Sequence, residues 1–291
     1  MQLTLKTVVM ATVVVLGIAE IVLADDATQN SKQKETTKIL FIGNSYTYYN
    51  SLDGVVEAML NVSGVPAEAQ RSAPGGWRLR QHFNGEVPKK RPEMKPTPDW
   101  IKSSDWDFVV LQEQSAGAVA ERAEFLEFGK KLCDMIHENC PDAKVLLYQT
   151  WGRCDGMFDG YGDDESRKAE VLAAWEKRYS APNDATVEAL KDGMQGGYAA
   201  LAAATGATVV PVGKAFKEAG DKVDLHADEK EAKPHHRSPA GTYLGACVFF
   251  KTITGQSPKG LWEKLNAAGK DFKVSKEDAS YLEGVADKAV K

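Results

Sequence analysis

The chain has 291 residues, of which 43% are hydrophobic and 26% charged, a composition that suits a globular protein and excludes a disordered one. Its 36 basic and 41 acidic residues give a formal net charge of -5, without the basic excess of a nucleic-acid binder, so no nucleic-acid partner is expected. Four cysteines are too few for a disulfide scaffold, and an apolar core must hold the fold.

Residues 1–24 read as a signal peptide. Lys6 precedes an uncharged run at 7–19, and Val22-Leu23-Ala24 offers small residues where a signal peptidase cuts. The run is shorter than the roughly 20 apolar residues of a membrane span. Cleavage after Ala24 removes Lys6 and Glu20 together and leaves 267 residues (291 less 24), still at -5. The expectation is a secreted or periplasmic protein without a membrane partner after cleavage. Residues 25–37 are a polar, disordered lead-in, and 38–291 form one domain. Export permits disulfides among Cys133, Cys140, Cys154 and Cys247, with three connectivities open. Cys247, inside the apolar run 244–250, also reads as a buried thiol.

Residues 38–42 are an apolar strand ending at Gly43, and 52–62 show helical spacing through Val55, Val56, Met59 and Leu60. A weaker strand is read at 67–72 and a Pro- and Lys-rich surface loop at 86–100. A strand at 107–111 and a helix at 122–138, stopped by Pro141, come next. Residues 144–148 are a third apolar strand, and 153–180, rich in Gly, Asp and aromatics, read as a lid or rim. An Ala-rich helix at 186–204, a strand at 207–212 and a Lys-rich helical pattern after Leu261 complete the chain. Apolar strands alternating with helices predict an α/β fold whose parallel sheet is covered on both faces. Such a sheet binds ligands beyond the carboxyl ends of its strands, at 43–47, 112–115 and 150–154.

The first of those ends is Gly43-Asn44-Ser45-Tyr46-Thr47. A serine on a strand-to-helix turn is placed as a nucleophile, although Ser45 or Thr47 could equally cap the helix. Far along the chain, His235-His236-Arg237-Ser238-Pro239 sets two histidines before a helix start, with Ser238 as N-cap and Pro239 at the first helical position. A neutral imidazole there could take the Ser45 proton.

These blocks resemble the SGNH (GDSL-like) hydrolase superfamily, in an exported bacterial-type branch with G-N-S-x-T near the start and H-x-S-x-x-G-x-Y-L near the end. The resemblance covers residues 38 to about 261 and implies a three-layer α/β/α flavodoxin-like fold with a central parallel sheet. It makes Ser45 the nucleophile and His236 the base, with His235 as the alternative base. Gly76 and either Gln112 or Gln114 form the oxyanion hole. The family's Asn in a G-x-N pattern is replaced here by Gln112-Glu113-Gln114. The acid that usually stands three residues before the histidine is also missing, since Lys233 and Ala232 occupy those positions. Asp228 is the best candidate, followed by Glu231 and Asp224.

The implied reaction is serine esterase chemistry that removes small acyl groups, acetyl above all, from a small-molecule or carbohydrate ester, without a cofactor. Trp77 and Trp151 could stack on a sugar at the rim. Two other readings stand beside it. One is a non-catalytic carbohydrate-binding protein on the same fold. The other is a metal-dependent phosphoesterase using Asp224, His226, Asp228, His235 and His236, although their spacing fits no zinc pattern and no bound metal is expected.

Overall fold

A computed structural model describes residues 35–114, 117–151, 184–226 and 236–291, and the side chains of all of these except 184–193. The expected signal peptide, the lid or rim at 153–180, Cys154, Asp228, Glu231 and His235 lie outside the described residues.

In chain order the elements are β1 (Thr37–Ile42), α1 (Ser45–Tyr48), α2 (Leu52–Val62), β2 (Ala67–Ser72), α3 (Leu79–Phe83) and α4 (Thr97–Ile101). Then come β3 (Phe108–Leu111), α5 (Gly117–Ala120), α6 (Arg122–Asn139), β4 (Lys144–Tyr148) and α7 (Asp184–Thr205). The last are β5 (Thr208–Val210), α8 (Val212–Ala219), α9 (Pro239–Thr254), α10 (Leu261–Ala267) and α11 (Lys276–Ala289).

The five strands pair in parallel in the order β2-β1-β3-β4-β5, the flavodoxin-like order. Alternate side chains of the strands serve two separate cores. Ile39, Phe41, Val110, Leu146 and Tyr148 face α2, α8, α9, α10 and α11, whereas Leu40, Ile42, Val109, Leu111, Val145 and Leu147 face α3 to α7. Both sets are buried, which is why these strands read as continuous apolar runs.

The edge strand β2, Ala-Glu-Ala-Gln-Arg-Ser, buries only its ends and gives the faint signal expected of an edge. Two departures from the expected elements have local causes. Helices α3, α4 and α5, of four or five residues, are too short to show a 3.6-residue period. The fourth strand was expected over 207–212 but spans only Thr208–Val210, because Pro211 has no N–H for the ladder and Val212 opens α8.

Cys133, Cys140 and Cys247 are buried free thiols. Burial pushes the Cys133 thiol up to about 11, which makes it a poor nucleophile. The segment after Leu261 is tied to the body by Glu283, a buried carboxylate that accepts from the Tyr243 hydroxyl (2.7 Å), Gly260 N–H (2.8 Å) and Trp262 N–H (2.9 Å). Among the described residues, no helix is long and apolar enough to cross a membrane.

Candidate active site

Strand β1 stands where the sheet order reverses, with β2 on one side and β3 on the other, and its carboxyl end opens into the crevice this creates. Ser45 begins α1 there and is half-buried. Gly43 is required by space: a Cβ on it would lie 2.4 Å from Thr47 Oγ1 and 2.6 Å from Gln112 Oε1. Neither Ser45 nor Thr47 caps the helix. Asn44 does, its Oδ1 accepting the Tyr46 N–H at 3.0 Å. The Asn44 side chain also donates to Trp77 O (2.7 Å), tying the Gly75-Gly76 loop to the turn.

Beneath the turn lies a layer of buried polar side chains. Gln112 Oε1 accepts from Asn44 N–H (3.0 Å) and Thr47 Oγ1 (3.1 Å), and its Nε2 donates to the carbonyl of Glu113. His82 bridges Gly43 O (2.8 Å, through Nε2) and Thr97 Oγ1 (2.7 Å, through Nδ1). A carbonyl can only accept, so Nε2 carries the proton and Nδ1 accepts from the Thr97 hydroxyl, whose oxygen then accepts from Ser72 (2.8 Å). Burial holds His82 at about 4, which keeps it neutral.

Beside Gln112, Glu113 accepts the Leu79 N–H (3.1 Å) and the Gln114 N–H (2.7 Å). Both bonds favour its anion, but desolvation outweighs them and pushes the carboxyl up to about 7.

The histidine segment meets the turn from the other side. The ring of His236 lies 5.4 Å from that of Tyr46, edge-on, and 4.7 Å from that of Tyr49. The next residue, Arg237, is fully buried and spends its guanidinium on the turn's backbone: it donates to the carbonyls of Tyr46, Thr47 (3.4 Å) and Tyr49 (2.6 Å). Its Nε donates to Thr242 Oγ1 (3.0 Å). Asn50 and Ser51, which join α1 to α2, both hold left-handed backbone angles (φ 53° and 48°), an uncommon state for such residues. The Asn50 amide donates to Arg237 O (3.0 Å) and Thr242 Oγ1 (3.1 Å), which helps to hold that strained corner. Ser238 caps α9 as expected, accepting from Gly241 N–H.

Gly76 sits in the turn 74–77 with φ +74°, a left-handed value that favours glycine. Gln112 is wholly buried under the turn, whereas Gln114 is half-buried at the crevice. Trp151 cannot stack on a sugar: it is 2% exposed, and its ring lies between those of Tyr46 (4.6 Å) and Phe216 (4.7 Å). Trp77 is also mostly covered and packs edge-on against His82. The Asp224 carboxylate accepts the N–H of His226, and among the described residues no group of three or more His, Cys, Asp or Glu is placed to hold a metal.

Sequence reasoning missed Asn44, His82, Glu113 and Arg237 as organisers of this region. Arg237 stood inside the quoted motif. An arginine between a histidine and a helix cap was a legible sign of a cation with carbonyls to satisfy. His82 had no such sign, because its partners Gly43 and Thr97 are remote in sequence.

Neither protein-family models nor curated proteins match the chain. Solved structures do. A protein of Slackia heliotrinireducens described as an SGNH hydrolase candidate is 26% identical, with a TM-score of 0.55, over 75% of this chain and 100% of that one. The chain belongs to the SGNH hydrolase superfamily. A DUF4886 family protein from Bacteroides uniformis, 16% identical with a TM-score of 0.63 over 88% of this chain and 95% of that one, shares the fold. In this SGNH chain Ser45 begins the helix that follows β1, and the buried layer described above braces that turn through Asn44 and Thr47.

Proposed function

We propose that the chain is an exported serine esterase that removes small acyl groups, acetyl foremost, from carbohydrate or other small-molecule esters. Ser45 Oγ attacks the ester carbonyl while His236 takes its proton. The tetrahedral oxyanion lies against the Gly76 N–H and the amide of Gln114. Gln114 is preferred to Gln112 because the Gln112 amide is buried and already holds Asn44, Thr47 and Glu113 O. Collapse expels the alcohol, which leaves with the proton from His236. Water then attacks the acyl-enzyme with His236 again as base, releasing the acid and restoring Ser45. Asp228 is the proposed orienting acid.

The observation that carries this reading is the Arg237 bonding. By spending its guanidinium on the carbonyls of Tyr46, Thr47 and Tyr49, it holds the His236 segment against the turn that begins with Ser45. The test is hydrolysis of p-nitrophenyl acetate by wild type and by Ser45→Ala, with and without a chelator. Wild type turns the ester over, and Ser45→Ala loses about 10⁴-fold or more in kcat/KM with an unchanged melting temperature. An inactive wild type across an ester panel would favour the non-catalytic binding reading. Activity that survives Ser45→Ala and dies with chelator would favour the metal reading.

A further inference from the structure

A cavity of about 490 Å³, within the range of small-molecule sites, opens against α1 and the loop at Gly75. Its walls include Tyr48, in the same helical turn as Ser45, and Gly75 and Trp77, which flank Gly76. Tyr48 stands against the loop closely enough that a Cβ on Gly75 would lie 3.2 Å from its hydroxyl oxygen. The cavity therefore borders both the helix that Ser45 begins and the loop that carries Gly76.

Its charge is the unexpected part. The chain carries a net -5, yet the charged residues lining this cavity are two cations, Arg71 and Arg91, with no acidic residue among the described lining. Each arginine is only partly spent. Arg71 gives Nη1 to both oxygens of Asp53 (2.8 and 3.1 Å), and Arg91 gives Nε to Glu93 (2.7 Å). Their carboxylate partners stand outside the lining, so they hold the side chains in place and leave other guanidinium N–H groups for the cavity. Arg71 is 41% and Arg91 66% exposed, accessible to a solute. A planar cation fork matches a carboxylate, and Tyr48 lines the same cavity.

We propose that this cavity is an acidic-sugar subsite: the alcohol part of the preferred ester carries a carboxylate, as an acetylated uronic acid does, and Arg71 and Arg91 bind it. The proposal rests on the esterase reading for its place in the reaction, but the binding site itself does not depend on it.

Two measurements separate the two claims. Calorimetric titration of methyl glucuronoside and methyl glucoside into Ser45→Ala reads the subsite without any reaction. Binding of the acid with little or none of the neutral sugar is expected, weakened by about tenfold in Arg91→Gln and further in the Arg71→Gln/Asp53→Asn pair, which leaves no carboxylate uncompensated. Equal binding of the two sugars, or no binding of either, overturns the subsite. Kinetics on the acetylated forms of both glycosides then read its use. The acid-to-neutral ratio of kcat/KM exceeds one in wild type, falls by about tenfold in Arg91→Gln and falls with added salt. A ratio near one, or one that survives both variants, overturns its role in catalysis. Selective binding without any ester turnover would sink the esterase reading and leave the subsite standing.

Discussion

The floor beneath Ser45 and the mouth above it are built on opposite principles. In the floor, Gln112, His82, Thr97 and Arg237 are buried and satisfy one another or the backbone of the turn. At the mouth, Ser45, Gln114 and Tyr48 are half-buried, and Tyr48 lines the cavity. The difference teaches where each kind of damage should appear: changes in the floor should be read in stability, and changes at the mouth in turnover.

The sharpest break of that contrast comes from His236, which is buried against Tyr46 and Tyr49 yet is the proposed base. His236→Ala should cost about 10⁴-fold in kcat/KM on p-nitrophenyl acetate, with a melting temperature within a few degrees of wild type. A large loss of melting temperature with little loss of turnover would make His236 a packing residue of the floor.

Arg237→Met, in the floor, keeps most of the volume but strips donors from three carbonyls. It should cost about 4 kcal/mol, or roughly 10 °C in melting temperature for a chain of this size. A change under about 1 kcal/mol in urea melts would mean the guanidinium contributes little beyond packing.

The floor also carries a hidden pH dependence. His82 is held at about 4 against an ordinary 6.5, so between those values the unfolded chain binds a proton that the folded chain refuses, and stability falls on acidification. Glu113 runs the other way. Raised to about 7 from 4.5, it keeps a proton in the folded state that the unfolded chain releases, so stability falls as pH rises through that window. Between pH 4.5 and 6.5 the two slopes oppose. Glu113→Gln removes one of them, and the variant should lose about 2 kcal/mol more than wild type on going from pH 6.5 to 4.5. Parallel pH profiles for the two proteins would refute the pairing.

The smallest effect is the control. Lys130→Ala on α6 removes an exposed pair with Asp134, 2.7 Å apart, and should change stability by less than about 0.5 kcal/mol in the same melts.

The same contrast explains what could be read from the sequence. Strand β1 was legible because Ile39, Leu40, Phe41 and Ile42 are all buried, two towards each core, so their burial is written as composition. Ser45 and the segment at His236 were legible as motif residues. The floor was not, because a hydrogen bond between His82 and Gly43 spans 39 residues and leaves no period or spacing behind. Trp151 was misread for a related reason: a tryptophan at a strand end is as well placed to fill the core between Tyr46 and Phe216 as to meet a ligand. Gln112 and Gln114 could be told apart only once β3 showed which of them lies under the turn.

The bond from Arg237 to the Tyr46 carbonyl joins groups 191 residues apart. Closing a loop of that length costs about 5 kcal/mol of chain entropy, which the guanidinium's carbonyl bonds help to offset. Synthesis runs from the amino end, so the residues that fix the turn at Ser45 are made long after the turn itself. A ribosome-bound chain that has emerged only as far as β5 therefore carries Ser45 on an unfinished corner. Activity should appear abruptly once α9 is released, so that a nascent chain passes through most of its synthesis chemically silent.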